Sequence, residues 1–228
     1  MKKLIIAAMA LTCATAVVSA DTVTSENIVG YNKLKSTAGL QMGGVQFLNN
    51  DGNSIESIFG DQYPLGTKIF VYEEGVGYKG VTYKTIYPSP SYQATNVWSG
   101  VVTNALPSVG FWVQMPDAAA AVTNVIAGDV PLSDAVTNAV VNGLNLFSYP
   151  YPVAVEVQNL GFTPSLGDQV FVYINGTGYV GSLYKITYPA PDYTPVIAWS
   201  NPTLEIPVGS GFWYQTTNTT TWIAVKPF

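Results

Sequence analysis

The sequence contains no histidine and no arginine, and its only cysteine is Cys13. The commonest general base is therefore missing, and no thiol nucleophile lies in the body of the chain. A disulfide framework and a thiolate metal site are excluded for the same reason. Without arginine there is no planar, bidentate reader of phosphate. Nine lysines face fourteen acids, for a formal charge of −5, so a nucleic-acid partner is excluded as well. Charge is scarce altogether, at 10% of residues, against 48% hydrophobic and 13% aromatic. Disordered chains show the reverse balance, and 228 residues are enough for two packed cores.

Long apolar runs are also few. The one present, residues 4–18, follows the basic Met1-Lys2-Lys3 and ends on the small-residue pattern Val18-Ser19-Ala20. This is the layout of a secretory signal peptide, so residues 1–20 are expected to be removed and the mature chain to begin at Asp21. A lipid anchor on Cys13 fits less well, because Thr12 precedes it and the apolar residues 14–18 follow it. No other stretch approaches the roughly 18 residues of a membrane-spanning helix. Export strips Cys13, Lys2 and Lys3, leaving seven lysines, fourteen acids and a charge of −7. The expected location is extracellular or on the cell surface, with the periplasm as the other compartment the signal allows.

What the chain does contain is a repeat. Residues 68–100 recur as 169–201 at a constant offset of 101, with 15 identities in 33 positions. Shared positions include Phe70/Phe171, Tyr72/Tyr173, Tyr78/Tyr179, Tyr83/Tyr184, Lys84/Lys185 and Trp98/Trp199. Gly110-Phe111-Trp112 with Gln114 maps in the same way onto Gly211-Phe212-Trp213 with Gln215. A unit of about a hundred residues is a domain rather than a solenoid rung. Its shared residues are aromatic, Gly and Pro, which describe an architecture more than a chemistry.

Short β-prone segments separated by Gly, Pro and Asn run through both copies, and no long 3.6-residue period is present. The clearest hairpin joins residues 67–73 to 77–85, and its copy is sharper, with Asn175-Gly176 suggesting a two-residue primed turn. Residues 70–72 are apolar on both faces of a strand, so that strand should be covered on both sides. Asn53 or Ser54 is placed to cap a short helix ending at Gly60, and residues 155–160 suggest a matching helical turn before Gly161. The expected class is all-β, two tandem similar β-sandwich or small-barrel modules, each with at most one short helical turn. The signal peptide covers residues 1–20, the first module 21–131 and the second 132–228.

Asn27-Ile28-Val29-Gly30-Tyr31 after the signal, Gly143-Leu144-Asn145-Leu146, and the two Gly-Phe-Trp segments resemble a loose group of secreted bacterial surface proteins. In that group a β-module opens on Gly, an aromatic or Leu, then Asn-Leu, and closes on Gly, Phe or Tyr, then Trp. The resemblance spans nearly the whole mature chain and implies a surface location without implying an activity. The first module departs from it at Met42-Gly43-Gly44, where the group has an apolar run.

Each chemically suggestive feature has a plainer reading. Glu73-Glu74 is the only adjacent acid pair, but neighbours on a strand point to opposite faces, so it reads as a solvated hairpin end rather than an acid/base dyad. Lys84 and Lys185 read as surface charges. Asp51-Gly52-Asn53 lacks the alternating acids and closing glutamate of a calcium loop and reads as a turn. Two segments beginning at Asn175 and Asn218 have glycosylation spacing, which matters only in a host that reads it. Phe228 resembles the aromatic end of outer-membrane barrels, although Lys226 and Pro227 break the expected alternation. Trp112 and Trp213 read as core.

The repeated Tyr-Pro-x-Pro-x-Tyr loops are the best candidates for an exposed binding feature, with Tyr87, Tyr92, Tyr188 and Tyr193 as the ligand-binding residues. Proline limits the loop's freedom, and tyrosine offers a flat face with a polar tip. The plainer reading is a loop folded over its own sandwich. No catalytic residue, metal site or cofactor is expected. The expectation is a secreted, non-enzymatic structural or interaction protein of the cell surface or matrix, and the alternative is a carbohydrate-binding protein. Its partner would be a cell-envelope or matrix component, whether a polysaccharide or further copies of the chain.

Overall fold

The computed structural model describes residues 29–49 and 52–228. The signal peptide, the Asn-Ile start of the first strand and Asp51 lie outside the described residues. The first half runs β1 (Val29–Ser36), β2 (Gly39–Gly44), α1 (Ile55–Phe59), β3 (Lys68–Glu73), β4 (Gly77–Ile86), β5 (Thr95–Gly100), β6 (Gly110–Met115) and β7 (Val122–Asp129). The second half runs β8 (Ala135–Val140), β9 (Gly143–Ser148), β10 (Val155–Glu156), a 3₁₀ turn (Val157–Asn159), β11 (Gln169–Ile174), β12 (Gly178–Thr187), β13 (Val196–Trp199), β14 (Glu205–Ile206), β15 (Gly211–Thr216) and β16 (Thr220–Val225).

The protein is all-β, and its two halves are similar modules. Each is built on a five-stranded antiparallel sheet, ordered β2-β6-β3-β4-β5 in the first and β9-β15-β11-β12-β13 in the second. Each half also pairs its first strand with its last, β1 with β7 and β8 with β16, as a second layer.

Strand periodicity explains the core. Along β6 the side chains of Phe111, Val113 and Met115 enter the first module's interior, as do Ile69 and Val71 of β3. Phe212 and Tyr214 of β15 do the same in the second module, with Val170 and Val172 of β11. The residues between them belong to the opposite face. In each module a tryptophan indole closes the helical turn: Trp98 Nε1 donates to the Gly60 carbonyl at 2.8 Å, and Trp222 Nε1 to that of Leu160 at 2.6 Å. Ser54 caps α1 by accepting from the Ser57 amide, as its position suggested. The second module keeps only a single 3₁₀ turn, because Val155 and Glu156 are drawn into a strand pair with β14.

The β11–β12 connection differs from the primed turn expected of Asn175-Gly176. Ile174 pairs with Gly178, so the loop has three residues. Gly176 has φ 81°, and Asn175 is not in the left-handed region that a type I′ turn requires of both central residues. The positive φ of Gly178, 94°, then lets the chain re-enter the ladder. Asn145, the asparagine of Gly-Leu-Asn-Leu, closes the β8–β9 turn: it accepts from the Val141 amide at 3.0 Å and donates back to the Val141 carbonyl at 2.8 Å. Gln41 stands at the same register and donates to the Thr37 carbonyl at 2.6 Å.

Candidate aromatic seam and its paired clefts

The second face of each sheet is covered by the other module. Met42, Phe70, Tyr72 and Trp112 of the first sheet pack against Leu146, Phe171, Tyr173 and Trp213 of the second. The contact is reciprocal. Trp112 meets Tyr173 edge-on with centroids 5.2 Å apart, and Trp213 meets Tyr72 in the same way at 5.0 Å. A second pair extends it, Trp112 to Tyr179 at 6.4 Å and Trp213 to Tyr78 at 6.5 Å. Each residue of one pair is the repeat counterpart of a residue in the other, which is the pattern of a two-fold interface made inside one chain. Edge-to-face ring pairs are worth about 0.5–1.5 kcal/mol each beyond the area they bury.

Backbone contacts follow the same symmetry. The Gly44 amide donates to the Gly209 carbonyl at 2.9 Å, and the Ser148 amide to the Ser108 carbonyl at 3.1 Å. Gly44 pairs with Gly110 in its sheet and Ser148 with Gly211 in its own, so the two are equivalent and meet across the axis. A Cβ on Gly44 would lie 2.2 Å from that of Ser148. This accounts for the departure at Met42-Gly43-Gly44: there is room for one side chain on the axis, and Ser148 supplies it. The Gly-Phe-Trp segments gain a similar explanation. A Cβ on Gly110 would meet the Phe147 carbonyl oxygen at 2.5 Å, and one on Gly211 the Gly43 oxygen at 2.8 Å. The glycine admits the other module's backbone, the phenylalanine fills its own core, and the tryptophan enters the seam.

Where the seam opens to solvent it leaves two related clefts. One, of about 340 Å³, is lined by Leu40, Phe70, Trp112 and Gln114 with Tyr78 and Tyr179. The other, of about 490 Å³, is lined by Leu144, Phe171, Trp213 and Gln215 with the same two tyrosines and Tyr72. Both tyrosines are 56% exposed, while Trp112 is 3% exposed. The Trp112 indole N–H has no hydrogen-bond partner. It faces the Tyr78 phenol and, as a donor toward it, favours the ionised form. Burial outweighs it, and with the neighbouring Tyr179 holds the Tyr78 pKa above the usual value.

The four tyrosines singled out in the sequence lie elsewhere. Tyr87 and Tyr92 belong to the β4–β5 loop and Tyr188 and Tyr193 to the β12–β13 loop, all 61–67% exposed. The two loops are built alike: Tyr92 and Tyr193 have φ of 51° and 53°, and their amides donate to the carbonyls of Pro88 and Pro189 at 2.9 and 3.0 Å. The structure does not bring them into the clefts. Lys84 and Lys185 are exposed, and so are Glu73 and Glu74, with Glu73 paired to Lys79 at the hairpin end. Asn53 is fully buried, donating to the carbonyls of Phe47 and Ala105 at 2.6 and 3.1 Å and accepting from the Asn49 amide. No group of three or more candidate metal ligands occurs among the described residues.

Sequence reasoning placed Trp112 and Trp213 in a core and missed that the core lies between modules. The available signal was the second set of aromatics, Phe70, Tyr72, Tyr78 and Trp112, all on the strand face opposite the module's own interior and all duplicated. Set against family models, curated proteins and solved structures, the chain finds no match in any of the three.

Proposed function

We propose that the protein is a secreted, non-enzymatic structural or interaction protein of the bacterial cell surface or matrix, in which two modules act as one body with duplicated aromatic surfaces. The reciprocal Trp–Tyr seam carries this reading. It covers an apolar face on each sheet and leaves equivalent tyrosines exposed in both halves, an arrangement suited to holding a repetitive partner at two points. Its test is fractionation of producing cells, with intact-mass measurement of the recovered chain. Recovery in the outer envelope or matrix of a chain beginning at Asp21 is expected. Recovery in the cytoplasm with residues 1–20 retained refutes the proposal.

A second reading, carbohydrate binding through Tyr87, Tyr92, Tyr188 and Tyr193, is favoured by the exposure of all four rings and the identical build of their loops. If that reading holds, replacing Tyr92 and Tyr193 by Ala abolishes retention on an insoluble polysaccharide without moving the unfolding midpoint. Unchanged retention removes this reading and leaves the first standing.

A further inference from the structure

We infer that the two clefts of the seam, rather than the Tyr-Pro loops, form a paired binding site for a neutral oligosaccharide, with one sugar segment seated in each. The inference rests on the reading of the protein as a non-enzymatic binder and names its ligand class. Both clefts fall within the range of small-ligand sites, about 300–1,000 Å³. Their lining combines two kinds of group. Tyr78 and Tyr179 present half-exposed ring faces beside Phe70 or Phe171, and Gln114 or Gln215 supplies an amide able both to donate and to accept. No side chain lining either cleft is charged.

Three ligand classes are separated by this chemistry. An anion such as a phosphate finds no cation in the clefts of an acidic chain. A purely apolar ligand would strip water from the glutamine amide without offering it a hydrogen-bond partner, which is costly. A pyranose ring has apolar C–H faces for the tyrosines and hydroxyls for the glutamine amide, so it satisfies both kinds of group at once. Because the clefts share Tyr78 and Tyr179, a chain long enough to enter both binds its second segment intramolecularly.

The test uses the full mature chain and three probes, cellohexaose, xylohexaose and mannohexaose, with binding followed by tryptophan fluorescence. At least one probe is expected to bind, and to bind more tightly than its disaccharide. The Gln114→Ala/Gln215→Ala variant should lose about tenfold or more in affinity with no change in unfolding midpoint, since both glutamines are exposed. Tyr92→Ala/Tyr193→Ala should bind as the parent does. Failure of all three probes at millimolar concentration overturns the inference. So does binding that survives in the glutamine variant, and a loss confined to the loop variant would move the site to the Tyr-Pro loops. Envelope retention that persists in the glutamine variant leaves the proposed function intact even where the clefts fail.

Discussion

Substituting Gly44 by Ala tests the seam at its axis. The added Cβ would sit 2.2 Å from Ser148 Cβ, 2.8 Å from its Oγ and 3.2 Å from the Ser210 carbonyl oxygen. Carbon atoms in contact sit about 3.5–4.0 Å apart, so one strand must retreat by more than an ångström. Retreat stretches the Gly44–Gly209 and Ser148–Ser108 backbone hydrogen bonds, which flank the contact. Overpacking costs about 1–3 kcal/mol and a weakened hydrogen bond about 1 more, so a loss of about 2–4 kcal/mol is expected. Ser148→Gly removes the two closest clashing atoms. By itself it costs about 0.5–1 kcal/mol, the usual penalty for glycine inside a strand.

The double variant should therefore be less damaged than Gly44→Ala alone, with a favourable coupling of about 2 kcal/mol in a double-mutant cycle. Denaturant midpoints at constant slope measure it. An unchanged midpoint for Gly44→Ala, or additivity within about 0.5 kcal/mol, would refute a close-packed axis with room for one side chain.

Two further outcomes are expected. Tyr214, fully buried, donates to Asp168 at 2.6 Å, and its phenol is held far above its ordinary value of 10.0 by burial first and that carboxylate second. Because the folded state keeps the proton that the unfolded chain releases, stability is intact below pH 10 and falls as pH rises beyond it, by about 1.4 kcal/mol per unit for this group. Tyr214→Phe should cost about 1–3 kcal/mol at neutral pH, yet show a shallower alkaline decline; an unaltered alkaline slope measured by denaturation between pH 9 and pH 11, a range of about two units, would contradict this. A fragment spanning residues 133–228 should unfold cooperatively, since β8 and β16 close it, and should self-associate through the uncovered Leu146, Phe171, Tyr173 and Trp213. Sedimentation would show the association, and a fragment with no cooperative transition would mean that the halves share one indivisible core.

The seam has the form of a homodimer interface fused into a single chain. In a true homodimer the residue on the axis faces its own copy, and two serines at this spacing would collide. Duplication within one chain frees the two positions to differ, and in this protein they are glycine and serine. The covalent link thus permits one side chain on the axis at an approach that two copies both carrying serine there could not make.

The sequence by itself determined the class and the repeat. Short β-prone runs such as residues 68–73 and 110–115, turn residues at short intervals and the constant offset of 101 are signals in the string itself, legible without knowing what packs on what. Ser54 capping α1 and the strand Gly110–Met115 were readable for that reason. The Tyr-Pro loops were legible as candidates for exposed rings, again from local chemistry. Which partner covers each strand face is not a local property. Residues 70–72 signalled that both faces were covered, but apart from the duplication of the aromatics on the second face, nothing local distinguished a second layer of the same module from the neighbouring module's sheet. The three-residue turn at Asn175 was decided by register with β12, which outweighed the preference of an Asn-Gly pair. The reciprocal Trp–Tyr contacts, the lone side chain on the axis and the clefts arise only when residues about a hundred positions apart meet. Such contacts depend on how two folded surfaces fit, and that fit was settled in the tertiary structure.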